Sequence, residues 1–160
     1  MKKAASIPLG LYKKIYSAVP LPCVDLVVED VRGNFLLVWR KNSPDKNKWW
    51  FPGGRLVRGE RLAAAALRKL REETGLTGRV AGLMGVHEYF ARPGAFPGTT
   101  AHNIALVFRV RVRGVRPAAR LDRQSTEYRW WEKPARNFHP YVKRYLVAAK
   151  QAPRVVHTTS

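Results

Sequence analysis

Residues 54–76, GRLVRGERLAAAALRKLREETGL, are the stretch that decides the fold. Residues 61–74 are rich in Ala, Leu, Arg and Glu, which favour helix, and Gly75 stands where a left-handed C-terminal cap is expected. Apolar side chains recur at helical spacing as Leu62, Ala66, Leu67 and Leu70. The sequence therefore predicts a helix over 61–74 with one face buried.

Two acidic residues, Glu72 and Glu73, follow Arg68 and Lys69 by about one helical turn. Carboxylate oxygens are ligands that suit Mg²⁺ or Mn²⁺ bridging to phosphate. The glycines that precede the helix allow close backbone approach, so the Gly53 carbonyl can add a ligand. The alternative is purely structural: a solvated helix with Lys69–Glu73 ion pairs.

The rest of the chain predicts a mixed α/β protein with a single domain over 1–160, a core over about 20–150, an N-terminal extension over 1–19 and a tail over 151–160. Leu21–Glu29 and Phe35–Arg40 predict a hairpin. Further strands are expected over 79–90 (as one or two strands), 102–112 and 127–132, and further helices over 9–17 and 141–150.

The net charge is +19, from 30 lysines and arginines against 11 acidic residues. Such a field attracts phosphorylated molecules. The basic residues are scattered, and we find no zinc-finger, RNP-type or helix-turn-helix pattern, so small phosphorylated substrates are favoured over nucleic acid. The sequence has no apolar run long enough for a membrane span, no signal-peptide pattern and a single cysteine, Cys23, which together favour a cytoplasmic protein.

The spacing Gly54-x5-Glu60-x7-Arg68-Lys69-Leu70-x-Glu72-Glu73-x-Gly75-Leu76 resembles the Nudix box, Gly-x5-Glu-x7-Arg-Glu-U-x-Glu-Glu-x-Gly-U, where U is aliphatic. One fixed position differs, because Lys69 stands where the pattern has Glu. The resemblance implies the Nudix fold, an α/β/α sandwich with a mixed β-sheet, and metal-dependent hydrolysis of a nucleoside diphosphate derivative. Since Lys69 removes a ligand for a second metal, we expect one tightly held ion.

Segments outside the box are similar to the GDP-mannose mannosyl hydrolase branch of the Nudix family. They are residues 20–28, 33–40, 49–55 and 124–130, and the similarity spans most of 7–148. In that branch water displaces GDP from the anomeric carbon of the sugar, whereas ordinary Nudix enzymes attack phosphorus. The resemblance implies a GDP-mannose or GDP-glucose type of substrate, release of GDP and sugar, and a homodimer.

The resemblance also implies a metal site. Mg²⁺, or Mn²⁺ in its place, would be held by Glu73, the Gly53 carbonyl and Gln124, with Glu72 as a second ligand or as a base.

Substrate contacts follow from the same resemblance. Arg40 and Arg55 would stabilise the leaving diphosphate, because a guanidinium donates two parallel hydrogen bonds to such oxygens. Asp25 would touch the sugar or the far wall of the site, although an Asp inside the apolar run 24–28 needs a partner. Arg68 would contact either the box itself or the phosphates. The candidate catalytic residues are Arg40, Arg55, Glu72 and Arg68.

The sequence does not identify the general base. Ser125 stands where the mannosyl hydrolase branch has a histidine, and a serine does not accept a proton near neutral pH without help. Glu72, His87 and His102 are the alternative bases, and His102 is also a candidate for substrate binding.

Three functions follow from these patterns. The first is hydrolysis of a nucleoside diphosphate sugar at carbon, and the second is pyrophosphohydrolysis at phosphorus of a nucleoside diphosphate-X or a nucleotide. The third is a non-catalytic module that binds nucleotide or RNA, which Lys69, Ser125 and the positive charge motivate.

Overall fold

The computed structural model describes residues 7–151. Its helices are α1 (Leu9–Ala18), α2 (Leu62–Thr74) and α3 (Pro140–Gln151). Its strands are β1 (Leu21–Glu29), β2 (Phe35–Arg40), β3 (Trp49–Trp50), β4 (Gly53–Arg55), β5 (Gly78–Ala91), β6 (Ala101–Val112) and β7 (Ser125–Trp131). The predicted tail beyond Gln151 lies outside the described residues.

One mixed sheet organises the structure. Its main order is β3-β2-β1-β6-β5, with β4 paired to β1 and β7 paired to β2. The pairing of β1 with β6 is parallel and runs from Leu21↔Asn103 to Glu29↔Arg111, while the other pairings are antiparallel. Parallel neighbours require a crossover connection, and here it contains α2 and β5.

Apolar cores lie on both faces of the sheet. Side chains alternate along a strand, so Leu26 and Val28 of β1 pack on the side of α2, while Val27 packs on the side of α3. On the first side α2 contributes Ala65, Ala66 and Leu70, all fully buried. The expected α/β/α sandwich is confirmed.

The helix over 61–74 is confirmed as α2, and Gly75 caps it in the left-handed conformation at φ 68°. One detail of its buried face is wrong: Leu62 is 40% exposed, whereas Ala65 is fully buried. Leu62 lies on the same side of the helix as Ala66 but is the first helical residue, so its exposure follows from its place at the helix end.

The remaining elements agree with the sequence to within a few residues. β1 and β2 have the predicted bounds and form an antiparallel hairpin. The region 79–90 forms one continuous strand, β5, which pairs with β6 along its length and has two irregularities in that register. Within residues 7–151, none of the three helices is long and apolar enough to cross a membrane.

The N-terminal helix packs against the connection between β5 and β6. Tyr16 is buried, and its hydroxyl accepts a hydrogen bond from the backbone N–H of Ala95 at 2.8 Å. The rings of Tyr12 and Tyr16 both make edge contacts with Phe96. The predicted extension over 1–19 therefore carries a docked helix next to the strand that follows it.

The buried face of α2 makes a stability prediction. Leu70→Ala should lower the free energy of unfolding by about 2–5 kcal/mol, because it leaves a cavity between helix and sheet. Urea denaturation measures this change. Leu62→Ala, the same substitution on the same helix, is the control and should cost less than about 1 kcal/mol. Equal losses in the two variants would contradict the packing described.

Candidate active site

Arg68 holds the loop before α2 against the helix. Its Nε and Nη2 donate to the two carboxylate oxygens of Glu60 at 2.9 and 2.6 Å, and Nη2 also donates to the carbonyl of Arg55 at 3.1 Å. Its Nη1 donates to Glu72 Oε2 at 3.0 Å. Of the two roles expected for Arg68, contact within the box is the one that the structure shows.

Glu73 is buried and joins α2 to the sheet. Its Oε2 accepts a hydrogen bond from the Gly53 N–H at 3.0 Å, and its Oε1 lies 2.9 Å from Lys69 Nζ. Burial raises the pKa of Glu73, and the neighbouring Lys69 and the Gly53 N–H oppose that rise. Glu72, in contrast, has a half-exposed side chain and is ion-paired with Arg68 and Lys69.

Gly53 is the point where helix and sheet meet. It pairs with Asp25 in the β1–β4 register. A Cβ at Gly53 would lie 2.3 Å from the carbonyl oxygen of Val24 and 2.5 Å from Asp25 Oδ1, so only glycine fits. The Asp25 and Glu73 carboxylates therefore lie on either side of one glycine.

Asp25 has the partner that its place in an apolar strand requires. The hydroxyl of Tyr141, in α3, donates to Asp25 Oδ2 at 2.6 Å. Burial raises the pKa of Asp25 to about 6, although Tyr141 and the nearby Arg40 guanidinium oppose the rise. The Tyr141 ring stacks on His87 at 4.3 Å between centroids. Burial also lowers the pKa of His87, which favours a neutral imidazole.

Arg40 ends β2 beside Asp25, at a register irregularity where it pairs with Ser125 of β7. Its Nε is buried, and within residues 7–151 it has no hydrogen-bond partner. Arg55 is exposed and lies with its guanidinium carbon 4.0 Å from the centre of the Tyr12 ring. The two arginines thus differ, because only Arg40 presents a buried, unsatisfied donor next to the carboxylates.

Two further predicted site residues are Gln124 and His102. Gln124 is exposed, and its backbone bonds to Lys41 and to the Asp122 side chain. His102 lies 2.9 Å from Glu88 Oε1 and stacks on Phe90. Within residues 7–151 neither is hydrogen-bonded to Glu73 or Asp25, although Gln124 donates to Asp122, which lies near Glu73.

The residues at Gly53 do not fit a divalent cation. Such an ion needs several free oxygen ligands, yet both Glu73 oxygens already accept contacts from protein donors. Over residues 7–151 there is also no group of three His, Cys, Asp or Glu residues placed to hold a metal ion. The predicted set of Gly53, Glu72, Glu73 and Gln124 therefore does not form a ligand cage in this arrangement.

Several residues around the site could not be predicted from the sequence. Tyr141 donates to Asp25, and Tyr89 donates to Asp45, a carboxylate near enough to Asp25 to raise its pKa. Asp122 lies close enough to Glu73 to raise its pKa. The one indication in the sequence was Asp25 itself, because a carboxylate in an apolar strand is unfavourable without a partner. This indicates that a partner exists but not which residue it is.

The raised pKa of Asp25 predicts a pH dependence. Its pKa of about 6 exceeds the value of about 3.9 in an unfolded chain, so the folded state holds the proton more tightly. The stability that this supplies is complete below pH 4 and is lost as the pH rises through 6. Asp25→Asn cannot ionise and can still accept from Tyr141.

Between pH 4 and pH 8 the unfolding free energy of Asp25→Asn should therefore gain about 1–3 kcal/mol relative to the unsubstituted chain. Urea denaturation at both pH values measures the difference. A difference that does not change with pH would contradict the assignment.

Known proteins similar to this chain agree with the box and the fold. The NUDIX domain family matches residues 19–146. The low-salt glycan biosynthesis protein Agl8 of Haloferax volcanii is 32% identical over 148 residues, which cover 92% of this chain and 93% of that protein. The ADP-ribose pyrophosphatase of Methanocaldococcus jannaschii is 35% identical over 109 residues, which cover 68% of this chain and 61% of that one.

A solved structure of a MutT protein from Methanosarcina mazei Go1 has the same fold, with a TM-score of 0.66 at 24% identity over 83% of this chain and 95% of that one. Nudix hydrolases generally use divalent metal ions such as Mg²⁺. Because the family match spans most of the sheet and α2, this chain belongs to the Nudix family and is a Nudix hydrolase.

Proposed function

We propose that this chain hydrolyses a nucleoside diphosphate sugar, of the GDP-mannose or GDP-glucose type, and releases GDP and the sugar. The observation that carries the proposal is the position of Arg40: its buried, unpartnered Nε lies beside Asp25 at the Gly53 turn. A donor in that state is costly unless a ligand supplies an acceptor, and the oxygens of a diphosphate are such acceptors.

The surrounding charge supports an anionic ligand. The chain carries a net charge of +19, which attracts phosphorylated substrates to the site. Arg55 is exposed above Tyr12, where its guanidinium is open to a substrate.

Asp25 is the proposed base. A carboxylate with a pKa of about 6 is ionised at neutral pH and is more basic than an ordinary aspartate. The water oxygen would form a bond to the anomeric carbon and lose its proton to Asp25. The bond from that carbon to the diphosphate oxygen would break, and GDP would leave with the electron pair. Arg40 would stabilise the negative charge that develops on the leaving diphosphate.

The relatives support the substrate class. Agl8 is named for glycan biosynthesis, which uses activated sugars, and the second relative is named for ADP-ribose, itself a nucleoside diphosphate joined to a sugar. The similarity of residues 20–28 and 33–40 to the mannosyl hydrolase branch favours attack at carbon. The name of the second relative favours the alternative, attack at phosphorus.

Hydrolysis in ¹⁸O-labelled water separates these two reactions. We expect label in the released sugar from GDP-mannose or GDP-glucose, because the bond to the anomeric carbon is the one that breaks. Mass spectrometry of both products measures it, and unlabelled water is the control. Label in a phosphate product would instead establish cleavage at phosphorus.

A panel of nucleoside diphosphate sugars should be tested both with Mg²⁺ and with a chelator. Absence of turnover under both conditions, together with salt-sensitive RNA binding, would replace the enzyme proposal by a binding module.

Arg40 provides a second test. Arg40→Gln should lower kcat/KM for the nucleotide sugar by roughly 10–150-fold, the effect of losing about 1.5–3 kcal/mol of charge-assisted hydrogen bonding. Steady-state kinetics measure it. Arg136→Gln removes the same charge from an exposed arginine and is the control. Similar effects of the two substitutions would assign the loss to net charge and would contradict the role of Arg40.

A further inference from the structure

The substitution of Lys69 for the box glutamate places an ammonium group inside the site. The Lys69 side chain is only 11% exposed. It lies against the Gly53–Gly54 turn, because a Cβ at Gly54 would come within 2.7 Å of its Cε and 3.1 Å of its Nζ. Lys69 is thus enclosed between its own helix and the turn that carries Gly53.

The ammonium contacts Glu72 and Glu73, the two acidic residues of the box that lie in α2. Its Nζ is 2.9 Å from Glu73 Oε1 and 3.4 Å from Glu72 Oε2. The residues at i+3 and i+4 of a helix lie on the same side as residue i, so this contact follows from the sequence spacing. The two carboxylates that would bind a metal therefore already share one cation of the chain itself.

The Lys69 ammonium is held in this position by its ion pairs, the shorter one to Glu73 and the longer one to Glu72. A divalent ion at Glu73 would have to displace this ammonium, or lie beside a like charge within a few ångströms, and both are unfavourable. The electrostatics therefore oppose metal binding at the place where the box of other Nudix proteins has a glutamate.

We propose that the Lys69 ammonium replaces the divalent cation in this chain and binds the diphosphate of the substrate directly. An ammonium has three N–H donors; Glu73 and Glu72 engage two, which leaves one for a phosphate oxygen. Substrate binding then does not require a metal ion. The diphosphate ligand is taken from the proposed function, whereas the loss of the metal site rests on Lys69 alone.

The metal half of the proposal is tested by Mn²⁺ binding without substrate, measured by electron paramagnetic resonance. The unsubstituted chain should bind Mn²⁺ weakly. Lys69→Glu restores the box and should bind Mn²⁺ about 10–100-fold more tightly. Lys133→Glu changes the charge equally at an exposed position and is the matched control. Equal affinities in the unsubstituted chain and Lys69→Glu would overturn the proposal.

The ligand half is tested with inorganic pyrophosphate by isothermal titration calorimetry in the presence of a chelator. The unsubstituted chain should bind pyrophosphate without metal, and Lys69→Met should bind it about 10-fold or more weakly. Binding that appears only when Mg²⁺ is added would overturn the proposal.

The pyrophosphate test can be interpreted even if the Lys69→Met variant does not fold. Lys69→Met leaves Glu73 buried without its partner, so circular dichroism must confirm that this variant is folded. If it is not, the unsubstituted chain still decides, because its pyrophosphate binding with and without Mg²⁺ needs no variant. Failure to hydrolyse any nucleotide sugar would reject the proposed function. It would not affect the comparison of Mn²⁺ affinity between the unsubstituted chain and Lys69→Glu.

Discussion

The hydrogen bond from the Gly53 N–H to the Glu73 carboxylate is the contact on which the site depends. It joins the last turn of α2 to a strand that pairs with β1, so it fixes where the helix carboxylates lie relative to Asp25. A buried carboxylate with one such donor is still costly, and the Lys69 ammonium supplies the opposite charge. Gly53 permits the approach because it has no side chain to collide with Asp25.

Local patterns were sufficient to predict most of the fold. The bounds of β1 and β2 and the end of α2 at Gly75 follow from apolar periodicity and capping, which are properties of neighbouring residues. The same holds for the ion pair of Lys69 with Glu73, which one turn of helix dictates. The exposure of Leu62 could not be predicted from local patterns, because it depends on how far the helix extends beyond its contacts with the sheet.

The candidate site was predicted less completely, since its decisive contacts are between distant residues. Nothing near Asp25 in the chain indicates Tyr141, and nothing near Arg40 indicates that its Nε is buried without a partner. The family pattern supplied roles for Arg40, Arg55 and Glu73 but could not show that Lys69 fills the space between the carboxylates. The effect of Lys69 on the site depends on its distances to Glu72 and Glu73, and the motif does not contain those distances.

The contact between Asp25 and Tyr141 joins residues 116 positions apart in the chain. Asp25 lies in the first strand, and Tyr141 lies in the last helix that the structure describes. During synthesis the first strand emerges long before its partner strand β6 or the helix that donates to its carboxylate. A nascent chain can therefore pair β1 with β2 and β4 early, but the Asp25 carboxylate has no Tyr141 donor until α3 has left the ribosome.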